Sequence, residues 1–148
     1  MKKSCGFLIQ CGDKFLLCHS SRPDGIVTLD DGQWGIPKGG CESKETELDA
    51  ALRETLEETG IDLSNYIYDK KPLLKYSTKS KKYVIFYANI TDSSILNKEL
   101  VCITNVSETN RPENDDFIWA TWDKAKEISI KNQKFNIFVD DVLKEIQP

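Results

Sequence analysis

The sequence predicts a mixed α/β fold, an α/β/α sandwich in which a mixed sheet lies between helices. Short strand-like stretches recur along the chain, an acidic segment with helical periodicity lies among them, and residues 134–146 form an amphipathic stretch. A chain that mixes such elements buries its core by packing helices on the faces of a sheet. Its 148 residues suit one domain, which we expect to span residues 1–148.

The predicted elements alternate along the chain. In order, the first are 5–10 (strand), 11–13 (turn), 14–18 (strand), 19–32 (polar loop), 33–36 (short strand) and 37–40 (turn). Further strands are predicted at 73–77, 82–90, 99–104 and 117–122, and residues 82–90 show the clearest period-two alternation. Asp123 is expected to cap a short helix, and residues 134–146 to form the closing helix.

The central helix is predicted between Thr46 and Gly60. Thr46 is a suitable N-cap, with Asp49 three residues later as a weaker form of the capping-box acid. Gly60 stands where a left-handed residue would end the helix. The residues that recur at helical spacing predict a modest core face: Leu48, Ala51, Leu52, Thr55 and Thr59.

Three glutamates of this helix are placed against the rules of helix electrostatics. Glu54, Glu57 and Glu58 lie at i, i+3 and i+4, where like charges cost about 0.2–0.5 kcal/mol per pair. Glu57 and Glu58 also occupy the last turn, where the helix dipole favours cations. A plain interpretation is a solvated acidic face, partly balanced by Arg53. A divalent cation removes the conflict, because clustered carboxylates and a backbone carbonyl suit Mg²⁺ or Mn²⁺.

The spacing of the segment around this helix resembles the Nudix box. The matching positions are Gly39, Glu45, Arg53, Glu54, Glu57, Glu58, Gly60 and Ile61. The resemblance implies a Nudix-type α/β/α sandwich and hydrolysis of a diphosphate linkage in a nucleoside diphosphate derivative. It extends to the leading hairpin, a downstream strand and a terminal helix introduced by a tryptophan-containing element at Trp122.

The resemblance also assigns roles to individual residues. The metal ligands it implies are Gly39 (or Gly40) through a carbonyl, Glu45, Glu54, Glu57 and Glu58. Arg53 would hold the glutamates by hydrogen bonds. Two plain alternatives stay open, with Arg53 as an ordinary i, i+4 partner and Glu45 as a charge near the helix N-terminus.

The catalytic base has two candidate positions. The residues expected to take part in catalysis are Glu54, Glu57, Arg53 and Glu113. The base is either Glu54 or a glutamate on loop 105–116, where Glu113 is preferred to Glu108. A solvated acidic loop is an equally good interpretation of that segment.

One position departs from the box pattern. Thr55 stands where the box normally has an aliphatic residue. Its methyl group can pack in the core and its hydroxyl can bond back to the helix. We therefore expect some lost stability rather than lost chemistry.

The residues just before the helix suggest a substrate class. The run from Trp34 to Gly40 resembles the W-x-x-P-K-G segment of dinucleoside polyphosphate hydrolases, RNA 5′-pyrophosphohydrolases and diphosphoinositol phosphate hydrolases. Lys38 would contact a phosphate as a point charge. Trp34 would stack on a base, or it is simply a core residue.

Three functions follow from this resemblance. The first expectation is a Mg²⁺- or Mn²⁺-dependent hydrolase of small nucleotides, namely dinucleoside polyphosphates or related ADP-containing compounds. The enzyme alternative removes a pyrophosphate or a cap from the RNA 5′ end. The alternative of another class is a non-catalytic Nudix module that binds a nucleotide.

Composition limits the remaining classes. The net charge of −4 gives no overall basic footprint for nucleic acid. Six lysines nevertheless crowd one region: Lys70, Lys71, Lys75, Lys79, Lys81 and Lys82. They favour a solvated strand edge over a phosphate-binding surface. No C-x-x-C pair occurs and His19 is the only histidine, so a zinc site is not expected.

The sequence predicts neither a membrane partner nor a secretory route. No apolar run approaches the ~18 residues that span a bilayer. The first residues favour a strand over a signal peptide, because their apolar part is short and interrupted. The five cysteines suit free thiols, so a cytoplasmic location is expected.

Overall fold

The computed structural model describes residues 2–20, 34–77, 79–103, 105–106, 111–112 and 114–131. Its strands are β1 (Lys2–Cys11), β2 (Lys14–Ser20), β3 (Trp34–Gly35), β4 (Lys38–Gly40), β5 (Leu74–Ser77), β6 (Lys81–Ile90), β7 (Asn105–Val106), β8 (Arg111–Pro112) and β9 (Asn114–Thr121). Its helices are α1 (Glu47–Thr59) and α2 (Trp122–Lys131), with 3₁₀ turns at Leu63–Asn65 and Ser93–Asn97. Within these ranges, no helix is long and apolar enough to cross a membrane.

Seven strands form one mixed sheet with β1 near its centre. The order is β3-β2-β1-β6-β5, with β4 also paired to β1 and β9 to β2. β1 runs parallel to β6 along its whole length and antiparallel to β4 at its N-terminal half. β7 and β8 form a separate two-stranded pair. The predicted hairpin and mixed sheet are confirmed.

Apolar side chains cover both faces of the sheet, because successive residues of a strand point to opposite sides. The α1 face buries a cluster that includes Cys5, Phe7, Ile9, Leu16, Ala50, Ala51, Val84 and Phe86. The opposite face buries Leu8, Phe15, Leu17, Trp34, Ile36, Ile85, Ala120 and Ala125. Since Ala125 belongs to α2, helices contribute to both faces and the predicted sandwich is confirmed.

The ends of α1 follow the sequence prediction. The Thr46 side chain accepts a hydrogen bond of 3.0 Å from the Asp49 N–H. Gly60 has φ 81°, and its N–H donates to the Leu56 carbonyl. Glycine adopts this left-handed conformation without steric cost. On the predicted core face, Ala51, Thr55 and Thr59 are buried, and Leu48 and Leu52 pack partly buried against the core.

The segment predicted as a turn at 37–40 is instead strand β4 from Lys38 onwards. Ser4, Cys5 and Gly6 of β1 pair with Gly40, Gly39 and Lys38. A Cβ atom on Gly6 would lie 2.2 Å from the Pro37 carbonyl oxygen and 2.5 Å from Cβ of Lys38. The glycine in β1 thus makes room for the neighbouring strand, which the local turn signal did not reveal.

Residues 99–104 were predicted to be a strand, and the described part, 99–103, is not. It runs past the end of α1, where the Val101 N–H donates to the Thr59 carbonyl and the Ile103 N–H to the Glu57 carbonyl, at 3.0 and 2.7 Å. The last carbonyls of a helix have no intrahelical partner, and this segment supplies donors to them.

The boundary of α2 also differs from the prediction. α2 begins at Trp122, and the Thr121 hydroxyl, rather than Asp123, accepts a hydrogen bond of 3.3 Å from the Lys124 N–H. Two predicted segments are tested only in part or not at all. His19 and Ser20 of the predicted polar loop extend β2, while the rest of that loop and the predicted helix 134–146 lie outside the described residues.

Candidate active site

The close packing of β4 on α1 brings the candidate site together. Gly39 pairs with Cys5 and faces α1. A Cβ atom on Gly39 would lie 2.1 Å from the carboxyl carbon of Glu54, so any larger residue would force the Glu54 carboxylate to move. The glycine therefore allows its backbone to lie directly against the Glu54 carboxylate.

Arg53 connects this helix to the preceding loop. Its Nε and Nη2 groups donate to the two oxygens of Glu45, at 2.8 and 2.9 Å. Its Nη1 group donates to Glu54 and Glu57, at 2.9 and 3.2 Å. Nη2 also donates to the Gly40 carbonyl, at 2.8 Å. One guanidinium thus contacts three carboxylates and the end of β4.

Electrostatics follow this geometry. Hydrogen bonding to Glu45 raises the pKa of Arg53 further above its usual range, so the guanidinium stays charged. The same contact lowers the pKa of Glu45 to about 2. Hydrogen bonds to the charged form favour ionisation of a carboxyl group. The pair therefore consists of two full charges at any ordinary pH.

Glu58 occupies a second position against β4. Its Oε2 atom accepts a hydrogen bond of 3.0 Å from the Lys38 N–H, and its side chain is buried. The side-chain amine of Lys38 is affected as well, because burial lowers its pKa while the Glu58 carboxylate acts in the opposite direction. Glu54 is also buried and Glu57 is half-buried, so α1 presents carboxylates towards β4 rather than to bulk water.

The donor set fits a hard divalent cation. Carboxylates and backbone carbonyls are the oxygen ligands that Mg²⁺ and Mn²⁺ prefer. Among the described residues, however, no three His, Cys, Asp or Glu side chains are already gathered as a metal site. The hydrogen bonds explain this, since Glu54 and Glu57 turn towards Arg53 while Glu58 turns towards the Lys38 N–H. A cation at this position would compete with Arg53 for these oxygens.

The remaining predicted residues have different placements. Trp34 is 1% exposed and lies in the core, with its ring centroid 5.0 Å from that of His19. This agrees with the core interpretation of Trp34 and leaves its indole away from solvent. Glu108 and Glu113 lie outside the described residues.

A cavity of about 480 Å³ adjoins the loop between β4 and α1. It is lined by Lys2, Lys3, Gly40, Cys41, Glu42, Ser43, Glu45 and Lys81. Because Gly40 and Glu45 both bond to Arg53, the cavity lies directly beside the candidate site. Lys81 comes from the predicted lysine cluster, whereas Lys2 and Lys3 were not identified from the sequence.

The sequence pattern does not predict two features of the site. The backbone N–H of Lys38 holds Glu58, whereas the pattern predicts a role for the Lys38 side chain. Gly6 lies outside the recognised segment but sets the approach of β4 to β1. A glycine inside an apolar strand was the available signal, since such a residue often marks close backbone approach.

Comparison with known families gives a match over most of the chain. A family model described as NUDIX domain matches residues 3–141. The asymmetrical bis(5′-nucleosyl)-tetraphosphatase of Rattus norvegicus is 37% identical over 86 residues, which cover 55% of this chain and 54% of that protein. The m7GpppN-mRNA hydrolase of Saccharomyces cerevisiae is 36% identical over 53 residues, 36% of this chain and 5% of that protein. The chain thus spans about half of the rat relative and a small part of the yeast one.

Solved structures show the same fold. A C. elegans Ap4A hydrolase in a binary complex superposes with a TM-score of 0.63 at 22% identity, covering 95% of this chain and 99% of that one. A bifunctional NMN adenylyltransferase/ADP ribose pyrophosphatase from Francisella tularensis gives a TM-score of 0.68 at 18% identity, with 97% and 41% coverage. At these identities the likeness supports the architecture of the chain.

Proposed function

The chain belongs to the NUDIX family, and we propose that it hydrolyses a diphosphate linkage in a nucleoside diphosphate derivative with the help of a divalent cation. The observation that carries this proposal is the contact of Arg53 with Glu45, Glu54 and Glu57 beside the Gly40 carbonyl. A solvated acidic face would not place one guanidinium on three carboxylates and a strand end. We also propose that residues 1–148 act as one domain.

Each residue has a distinct part in this proposal. Glu54, Glu57, Glu58 and the Gly39 carbonyl are the proposed ligands of Mg²⁺ or Mn²⁺, with Glu45 in support. Such an ion, when bound, neutralises phosphate charge and makes a water molecule easier to deprotonate. The Glu54 carboxylate is the first candidate to accept the proton of the attacking water. Glu113 and Glu108 are the other candidates.

Arg53 is proposed to act on the carboxylates rather than on the substrate. Its bidentate bond to Glu45 holds the loop before α1, and its Nη1 group orients Glu54 and Glu57. Partners of metal ligands commonly matter 10–100-fold for metal affinity or activity, as an order of magnitude. The backbone N–H of Lys38 does the same for Glu58.

The first substrate candidate is a dinucleoside polyphosphate or a related ADP-containing compound. The name of the rat relative and the W-x-x-P-K-G run favour this class. The amine of Lys38 interacts with the Glu58 carboxylate, and we propose that it also contacts an anionic phosphate chain that approaches the same carboxylates. Trp34 is not needed for this recognition, because it serves the core.

The second candidate is the 5′ end of RNA. Lys2 pairs directly with Lys81, and Lys3 with Lys82, on adjacent parallel strands. Like charges side by side on neighbouring strands repel. Glu47, 2.9 Å from Lys3, offsets part of this repulsion, and RNA phosphates would offset more of it. The yeast mRNA hydrolase among the relatives agrees with this alternative.

The test is hydrolysis across a panel, with Mg²⁺ and with EDTA. The panel contains diadenosine tri- and tetraphosphate, ADP-ribose, nucleoside triphosphates and capped or triphosphorylated RNA. Glu54→Gln is expected to abolish turnover while the protein still melts cooperatively. Glu127→Gln, in an exposed 3.7 Å pair with Lys124, is the matched control and keeps full activity. Nucleotide binding by the wild-type protein without cleavage of any compound would instead indicate a non-catalytic module.

A further inference from the structure

Two cysteines lie in contact beside the candidate site, and the proposed hydrolysis does not use them. Cys5 pairs with Gly39, and the Cys41 N–H donates to the Lys3 carbonyl at 3.0 Å, which brings both thiols to the α1 face of the sheet. The two side chains are within hydrogen-bonding reach of each other. Cys5 is 0% exposed, whereas Cys41 is half-buried and lines the 480 Å³ cavity.

We propose that Cys41 and Cys5 form an oxidant-sensitive dithiol, with Cys41 as the residue that a peroxide reaches first. The Cys41 sulfur attacks one oxygen of the peroxide, the O–O bond breaks, and Cys41 becomes a sulfenic acid with release of water (or an alcohol). The Cys5 sulfur then displaces the hydroxyl group, which leaves as water with the Cys5 proton. Two thiols lose one electron each, and the peroxide takes up both.

The accessibility of the two thiols sets this order. Cys41 faces a cavity open to small molecules and lined by Lys2, Lys3 and Lys81, while Cys5 lies beneath it in the core. A sulfenic acid on Cys41 would therefore meet Cys5 before it meets a second oxidant molecule. Cys11 lies six residues further along β1 on the same face, and its thiol contacts the Asp92 carbonyl at 3.8 Å.

The disulfide requires a small movement of the loop. Diagonal neighbours across an antiparallel pair are about 7–8 Å apart, and a disulfide needs Cα atoms within about 7 Å. Cys41 follows the last residue of β4, so it can move more easily than Cys5, which is paired on both sides. Its sulfur lies 3.6 Å from the Glu45 carbonyl and 3.9 Å from that of Thr46. Oxidation is thus expected to shift the loop that carries Glu45 away from Arg53.

The covalent step is tested by peptide mapping after treatment of the reduced, folded protein with hydrogen peroxide. Trypsin releases Cys41 within residues 39–44 and Cys5 together with Cys11 within residues 4–14. The expected product is a joined pair of these peptides, lighter than their sum by two hydrogens and split by dithiothreitol. Fragmentation of the joined peptides should assign the link to Cys5 rather than Cys11. The C11S and C102S variants should retain the link, and the C5S and C41S variants should lose it.

Three results would overturn the proposal. They are a link that C11S abolishes, Cys41 recovered as sulfinic or sulfonic acid above an unmodified Cys5, and Cys41 unchanged while Cys102 is oxidised. These readouts depend on mass alone, so they hold whether or not the protein hydrolyses nucleotides.

A consequence for turnover rests on the proposed function. If the reduced protein hydrolyses a nucleotide, peroxide should lower that activity in wild type and C11S, dithiothreitol should restore it, and C5S should not regain it in this way. Activity that survives complete disulfide formation would contradict the coupling to Arg53 and leave the proposed hydrolysis intact. Absence of hydrolysis in the reduced protein would contradict the proposed function and leave the dithiol in place.

Discussion

The guanidinium of Arg53 holds the carboxylate of Glu45 through two parallel bonds, 2.8 Å from Nε to Oε2 and 2.9 Å from Nη2 to Oε1. Glu45 precedes the helix and Arg53 lies in its middle, so this contact ties the loop to α1. The loop is further closed by a bond of 2.9 Å from the Glu42 N–H to Glu45. Arg53 also donates to Glu54 and Glu57, so a substitution at Arg53 or Glu45 should change the positions of these two proposed metal ligands.

Arg53→Lys is expected to retain the fold and lose activity. A lysine keeps the charge, but it cannot form the bidentate bond to Glu45 while contacting Glu54 and Glu57. We expect a loss of roughly 10–100-fold in kcat/KM or in apparent Mg²⁺ affinity. Activity is measured over a Mg²⁺ titration, with Lys124→Arg as the control at an exposed ion pair. Equal activity of the two variants would show that Arg53 is an ordinary surface partner.

The stability of the protein should depend on the ionisation of Glu45. The folded-state pKa is lowered from 4.5 to about 2, chiefly by the Arg53 hydrogen bond. A lowered folded pKa means that the stabilisation is complete above pH 4.5 and is lost as the pH falls through about 2. Glu45→Gln should therefore be less stable than wild type at neutral pH, and the difference should shrink towards pH 2. Urea unfolding at a series of pH values measures this, and a constant difference would contradict it.

Gly39→Ala should damage the site, and Gly40→Ala should not. The added methyl on Gly39 would meet the Glu54 carboxyl at 2.1 Å, whereas a methyl on Gly40 meets nothing within 4 Å. Because only the flexible end of Glu54 stands in the way, the clash is relieved when the Glu54 carboxylate moves. We expect loss of most turnover for the Gly39 variant with little change in melting temperature, and Gly40→Ala close to wild type in both. Full activity of Gly39→Ala would show that Glu54 needs no fixed position.

Two of the five thiols should react in the folded, reduced protein. Cys5, Cys11 and Cys18 are buried, and Cys41 and Cys102 are half-buried. Burial raises the pKa of Cys5 to about 12, which leaves almost no thiolate at neutral pH. An alkylating reagent such as N-ethylmaleimide, which leaves no disulfide for Cys5 to attack, should modify two thiols without denaturant and five with it. Rapid reaction of Cys5, identified by peptide mapping, would mean that the N-terminal half of β1 opens readily.

Local signals predicted the parts of the fold that local chemistry decides. The ends of α1 were predicted from Thr46, Asp49 and Gly60, and β6 was predicted from its two-residue period. Helix caps and amphipathic faces depend on residues that are close together in the sequence. The acidic spacing likewise identified Arg53 and the glutamates around it.

The structural predictions that were wrong share one physical cause. At those places, contacts between residues that are far apart in the sequence decide the structure. Pro37–Gly40 carries strong turn signals, yet β4 forms because Gly6 of β1 leaves space for it. Residues 99–103 resemble a strand, but their N–H groups satisfy carbonyls at the end of α1. The contact of Cys5 with Cys41 depends on the register of β1 and β4, which no pattern in either segment reveals.

Thr55 and Thr59 lie on the same buried face of α1 and should respond differently to valine. The Thr55 hydroxyl only donates, to the Ala51 carbonyl at 2.8 Å. The Thr59 hydroxyl donates to the Thr55 carbonyl at 2.7 Å and accepts from the Ile61 N–H at 3.0 Å.

Thr59→Val removes the acceptor of a buried N–H, which costs about 1–3 kcal/mol. Thr55→Val leaves the Ala51 carbonyl its helical bond and should change stability by less than about 1 kcal/mol, with a gain expected from the added apolar contact. Denaturant melts of both variants measure the difference, and turnover should be unchanged in Thr55→Val. A larger loss for Thr55→Val than for Thr59→Val would mean that the aliphatic-to-threonine departure in the box stabilises α1.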